Sequence, residues 1–226
     1  MKTCCCTGHR PKGFPFAYGK DIKKHKEYLN ALEEKIKLVI TEYGVTSFVS
    51  GMALGVDLDF AEIVLKLRND YPLSLECAIP CPNQTLKWAD KDIIRYNKIL
   101  ERADCVTLVS DSYTSDCMLI RNRYMVDKSD IVIAVFNGIE TGGTWYTINY
   151  AEKKDKQIEI IDLREVKGNC KNSGKKKIIK AIIITLTVIA VYVGITFTEA
   201  YFISKAKNKD MWEFIKDTWE WYKTCF

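Results

Sequence analysis

Six short strand-like runs, each separated from the next by a stretch that reads as helix, constrain this chain more than any other feature. The runs are residues 2–7, 46–49, 73–79, 105–109, 131–136 and 157–162, and the helical stretches between them are 21–43, 55–70, 84–103, 116–128 and 143–154. Strands that are separated by helices cannot close as hairpins. They predict a parallel sheet with helices on both faces. The run Ile131-Val132-Ile133-Ala134-Val135-Phe136 offers no polar side to water and is expected as a buried central strand. The expected fold class is therefore α/β, a doubly wound and mainly parallel sheet.

The chain has 226 residues, enough for one α/β domain of about 150–165 residues and an appendage. Apolar residues make up 47% of it, so a core of that size can be filled. The formal charge of +5 is local in origin, because Lys167, Lys171, Lys175, Lys176, Lys177 and Lys180 crowd one segment. Such a balance is not the footprint of a nucleic-acid protein, and no specific nucleic-acid partner is expected. The nine cysteines accompany no signal-peptide pattern. Cys4, Cys5 and Cys6 fall in the first strand and read as small hydrophobes in a reducing compartment. Cys77 and Cys81 flank Pro80 without a second ligand pair, so no metal site is expected.

Composition changes after Leu163. Residues 1–165 form the α/β domain, 166–180 a basic linker, 181–203 an apolar span and 204–226 an aromatic, amphipathic tail. Residues 181–198 carry no charge, and Glu199 is the one acid before Ile203. At 1.5 Å per residue, a 23-residue helix covers roughly 34 Å, enough for a bilayer core. The lysines before the span put the N-terminal domain in the cytoplasm by the positive-inside rule, although Lys205, Lys207 and Lys209 follow it. Trp212, Trp219, Trp221 and Tyr222 suit an interfacial helix, with membrane lipid as partner.

In a doubly wound sheet ligands bind at the carboxyl ends of the strands. After the second strand comes Ser50-Gly51-Met52-Ala53-Leu54-Gly55-Val56-Asp57, two glycines just before a helix. Glycine lets a backbone approach a phosphate, and a helix start offers unpaired N–H groups. The spacing is neither GxGxxG nor a Walker loop. Gly142-Gly143-Thr144 repeats the same logic before the last helix; an ordinary glycine turn with a threonine cap is the alternative. Thr7-Gly8-His9-Arg10-Pro11 follows the first strand and Ser110 the fourth. Arg121 and Arg123 stand two apart and so point to different faces of one helix, one towards a phosphate and the other towards solvent. Asp57 is either an acceptor for ribose hydroxyls or an ordinary first-turn acid. His9 is a candidate ligand contact, and His25 reads as exposed. Cys117 sits near a helix start without a basic partner. No catalytic constellation emerges: no nucleophile elbow, metal cluster or P-loop lysine.

At Thr7-Gly8-His9-Arg10-Pro11, Ser50 to Asp57, Asp127-Lys128-Ser129-Asp130 and Ala151-Glu152-Lys153 the chain resembles the SLOG superfamily, within it the YpsA-like branch, over roughly residues 1–165. The resemblance implies a Rossmann-like fold that binds nucleotides or nucleotide-derived ligands. The superfamily includes Lonely Guy phosphoribohydrolases, the DprA group, and sensor domains of phage defence. Gly142-Gly143-Thr144 looks like the Lonely Guy glycine loop and Arg123 like its arginine, but no proline precedes Gly142 and Asn149 stands where the glutamate would fall. Glu152, one turn on, would have to substitute, since an amide is no general base.

The resulting expectation is a single-pass membrane sensor whose cytosolic domain binds a nucleotide-like molecule at Thr7, Gly8, His9, Arg10, Ser50, Gly51, Met52, Gly55, Asp57, Ser110, Arg123, Gly142, Gly143 and Thr144. It needs no cofactor beyond that ligand and forms a homo-oligomer. The alternatives are a Lonely Guy-type hydrolase using Arg123 and Glu152, and an envelope or cell-division scaffold with a vestigial pocket.

Overall fold

In the computed structural model, the described residues are 2–165 and Lys216. Residues 2–165 lie within the first of the two units into which the chain divides, Met1–Asn169. The strands are β1 (Lys2–Gly8), β2 (Val45–Ser50), β3 (Ser74–Ile79), β4 (Cys105–Leu108), β5 (Ile131–Phe136) and β6 (Gln157–Asp162). The helices are α1 (Ile22–Tyr43), α2 (Val56–Leu67), α3 (Asp90–Leu100), α4 (Cys117–Lys128) and α5 (Gly142–Lys153). The strands form one sheet in the order β4-β3-β2-β1-β5-β6, and every pairing is parallel. This is the expected doubly wound, Rossmann-like sheet. The chain winds outward from β1 in one direction and then in the other, so the order reverses between β1 and β5. A crevice must open there, because the loops that leave these two strands turn to opposite faces.

The alternation of side chains along each strand sorts the core into two layers. Cys4 and Cys6 point to one face with Phe48, Leu75, Ile131, Ile133 and Val135; there they meet Leu32 and Ile36 of α1, Phe60 and Val64 of α2, and Tyr96 and Ile99 of α3. Cys5, Val49, Ala78 and Val132 point to the other face and meet Met125 and Val126 of α4 and Ala151 of α5. The three consecutive cysteines are fully buried, as small hydrophobes of a central strand should be. Burial pushes the Cys5 thiol up to about 12, which makes it a packing group and not a nucleophile.

The expected helix over 84–103 is shorter. Gln84, Leu86 and Trp88 donate their N–H groups to Cys81, Asn83 and Thr85, in successive three-residue turns, and the helix starts only at Asp90. Pro80 and Pro82 precede this segment, and the Gln84 side chain reaches Met52 O at 2.8 Å. The chain is thus held against the β2 loop before it can wind. His25, expected as exposed, is half-buried and lies edge-on to Tyr18 at 4.6 Å.

The basic linker, the apolar span 181–203 and the aromatic tail lie outside the described residues, Lys216 excepted. Among the described residues no helix is long and apolar enough to cross a membrane.

Candidate functional site

A cavity of about 280 Å³ lies at the carboxyl ends of β1 and β5. Thr7, Gly8, His9 and Arg10 from the β1 loop form one side. Ala53 and Asp57 come from the β2 loop and α2, Met118, Arg121, Asn122 and Met125 from α4, and Gly143 and Thr144 from α5. Seven of the residues expected from the sequence therefore converge: Thr7, Gly8, His9, Arg10, Asp57, Gly143 and Thr144.

The electrostatic centre is an ion pair. Arg121 Nη1 donates to Asp57 Oδ2 at 2.9 Å, with both side chains more than nine-tenths buried. Burial raises the Asp57 carboxyl above its ordinary value, against the lowering effects of Arg121 and of the Ala53 N–H. The Nε of Arg121 is buried and has no hydrogen-bond partner. Arg121, which lines the cavity, thus keeps one donor without a protein acceptor.

The β2 loop is less open than the cradle that its glycines suggested. Three of its amides are already held, two by its own side chains and one by a neighbouring backbone. Met52 N–H donates to Ser50 Oγ at 3.2 Å, Ala53 N–H to Asp57 Oδ2 at 3.2 Å, and Val56 N–H to His9 O at 3.4 Å. Ser50 Oγ in turn donates to Asp57 O at 2.8 Å, and the Met52 side chain is fully buried. The glycines serve clearance instead. A Cβ on Gly51 would lie 1.3 Å from Arg121 Nη1. Gly55 has φ +95° and a Cβ there would lie 2.6 Å from His9 O, so two backbones pass where no side chain fits. Ser50, Gly51, Met52 and Gly55 thus stand behind the cavity wall and shape it.

The start of α5 differs. Its N-cap, Thr141, makes no side-chain capping bond, and Thr144 lies inside the first turn, not at the cap. The first amides of a helix have no intrahelical partner. Those of Gly143 and Thr144 belong to residues that line the cavity, where they suit an anion.

Of the two arginines on α4 it is Arg121, not Arg123, that reaches the cavity. Arg123 is exposed and lies over the Tyr146 and Tyr150 rings, 5.3 and 5.7 Å from their centroids. Glu152 is exposed on α5, and Ser110 follows the far edge strand; neither lines the cavity. Asp130, singled out in the sequence, serves the sheet. Its carboxylate accepts from Thr3 N–H at 2.8 Å and its N–H donates to Thr3 O at 2.8 Å, which aligns β1 with β5. Cys117 is fully buried. Among the described residues no group of three or more His, Cys, Asp or Glu side chains converges to hold a metal.

His9 stacks on Phe136, 6.1 Å away at 21°, and its Nε2 accepts from Asn137 N–H at 3.2 Å. That bond requires Nε2 unprotonated, and burial lowers the ring's pKa. An unfolded chain protonates this histidine near 6.5, before the native one does. The neutral ring's contribution to stability is therefore complete above pH 6.5 and is lost as pH falls through that value towards the native pKa. Urea denaturation between about pH 7.5 and 5.5, a window that brackets the unfolded pKa, should show wild type losing more stability than His9→Gln; parallel curves would refute this role for the ring.

A sequence model of the YpsA family, described as the YspA SLOG family, matches residues 4–166. A UPF0398 protein of Halalkalibacterium halodurans is 33% identical over 171 residues, covering 73% of this chain and 87% of that protein. UPF0398 proteins of Bacillus pumilus and Staphylococcus haemolyticus are 28% and 26% identical, over 73% and 74% of this chain and 91% of each relative.

Proposed function

The chain belongs to the YpsA family of SLOG proteins, and from that membership and the cavity we propose that residues 1–165 bind the anionic end of a nucleotide or nucleotide derivative between β1 and β5, as a sensor and not as a catalyst. The observation that carries this reading is the buried Arg121 Nε without a partner. An unsatisfied buried donor costs about 1–3 kcal/mol, and a bound phosphate or carboxylate would offset that cost with a charge-assisted bond. The α5 amides and Arg10, which has no ion-pair partner among the described residues, are the supporting donors.

Recognition is favoured over turnover by the carboxylates. Hydrolysis of an N-glycosidic bond wants a carboxylate able to act on substrate or water. Asp57 is the carboxylate that lines the cavity, and Arg121 and Ala53 N–H already hold its Oδ2. From hydropathy we assign residues 181–203 as an anchor, and from the lysines before it the cytoplasmic side of a membrane for this domain. Ligand binding would be read out there through self-association.

Isothermal titration of the full chain with AMP, ADP and ribose 5-phosphate tests the reading. Gly143→Leu is the variant of choice: a Cβ there meets nothing closer than Asn122 Nδ2 at 4.0 Å, so the first carbon enters without a clash and the branched end takes up cavity space. Its affinity should fall by more than about tenfold, because the side chain occupies space that the anion needs. Gly55→Leu is unsuitable, since its strained φ and its contact with His9 O confound folding with binding. Unchanged affinity in Gly143→Leu would sink the proposal, and release of free base from AMP would replace it with the hydrolase reading.

A further inference from the structure

A second cavity, of about 680 Å³, adjoins the first and shares Arg10 and Met118 with it. Its chemistry is different. Leu54, Leu86, Trp88 and Tyr113 supply apolar and aromatic wall. Leu86 and Tyr113 are 77% and 70% exposed, although large apolar and aromatic side chains of a lone domain gain by burial. Gln84, nine-tenths buried, also lines it. Its Nε2 donates to Met52 O at 2.8 Å, while its Oε1 is buried without a partner. A backbone carbonyl can only accept, so the amide cannot be turned over, and the group that Gln84 has left for a ligand is an acceptor.

Resting on the anion reading above, we propose that this cavity is the base subsite of the same ligand: it takes a planar base bearing an exocyclic amino group, which stacks on Trp88 and Tyr113 and donates to Gln84 Oε1. The volume is ample for a base with part of its sugar. Aromatic side chains hold bases through their faces whatever the base, so selection falls to the polar lining, in which Gln84 is the side chain fixed by its own bond to Met52 O. Arg10 borders both cavities and stands where the sugar-phosphate link would pass.

Titration calorimetry on the full chain with AMP, IMP and ribose 5-phosphate decides the matter. AMP should bind at least about tenfold tighter than ribose 5-phosphate, through stacking. It should also bind about tenfold tighter than IMP, whose ring presents an acceptor in place of the amino group. Tyr113→Ala, a change at an exposed side chain, should narrow the first ratio, and Gln84→Met should erase the second. Equal binding of AMP and ribose 5-phosphate overturns the base subsite while the anion site stands. An unchanged AMP-to-IMP ratio in Gln84→Met, with Tyr113→Ala also silent, overturns it as well. If none of the three ligands binds, the anion reading fails first and this inference falls with it.

Discussion

Gly51→Ala is expected to lower stability by about 3 kcal/mol and the thermal midpoint by roughly 5–10 °C, and to weaken ligand binding more than about tenfold. The Arg121 guanidinium lies over Gly51, and a Cβ at 1.3 Å from Nη1 leaves it no room. The side chain must swing away, and Asp57 is left buried without its cation. Removing one partner of a buried ion pair costs about 3–5 kcal/mol; the lower end applies here because burial already raises the Asp57 carboxyl, which can take up a proton when Arg121 leaves. Gly143→Ala is the control. It adds the same methyl group in open space and should change stability by less than about 0.5 kcal/mol. Thermal denaturation of both variants reads the difference directly. A Gly51→Ala protein as stable as wild type, with wild-type affinity, would show that the arginine does not depend on this clearance.

Asp59→Ala is expected to cost as much or more, about 3–5 kcal/mol, without touching the cavity. The Asp59 carboxylate is 3% exposed and accepts from Tyr18 Oη at 2.7 Å, Tyr28 Oη at 2.8 Å and Arg95 Nη2 at 2.7 Å. One buried group therefore fastens the loop before α1, α1 itself, α2 and α3 to each other. Tyr28 is fully buried, and burial with the Asp59 charge beside it raises its hydroxyl well above the ordinary value. It stays protonated and, in the variant, keeps a buried donor with no acceptor. Glu62→Ala removes a partner of the same Arg95 at a half-exposed position and should cost less than about 1 kcal/mol. Urea denaturation of the two variants separates these values; equal effects would mean that the network contributes no more than a surface ion pair.

Nothing in the sequence pointed to Asp59. An acid in the first turn of a helix is ordinary, and its three partners lie at positions 18, 28 and 95 of the chain. The same is true of Gln84, which stood inside an expected helix and instead lines a cavity, tied to Met52 O with its Oε1 unpartnered. Such roles depend on meetings between distant segments, which local pattern does not encode.

The central strands were legible because burial on both faces demands apolar runs, and helices that pack on one side demand a three-to-four-residue period. Those local demands determined the strands, their parallel sense and the ends at which a ligand site would open. The loops Thr7 to Arg10 and Gly143 to Thr144 were found by the same reasoning. What the tertiary structure alone decided was how the polar groups are divided. Two arginines two apart on a helix face opposite ways, and only the packing of α4 on the sheet selects Arg121 for the interior and leaves Arg123 on the surface tyrosines. The glycine loop after β2 has the composition of a phosphate cradle, yet Ser50, Asp57 and His9 O occupy three of its amides, and its glycines make way for a guanidinium and a neighbouring backbone. Glycine permits close approach; which group approaches is set by the whole fold.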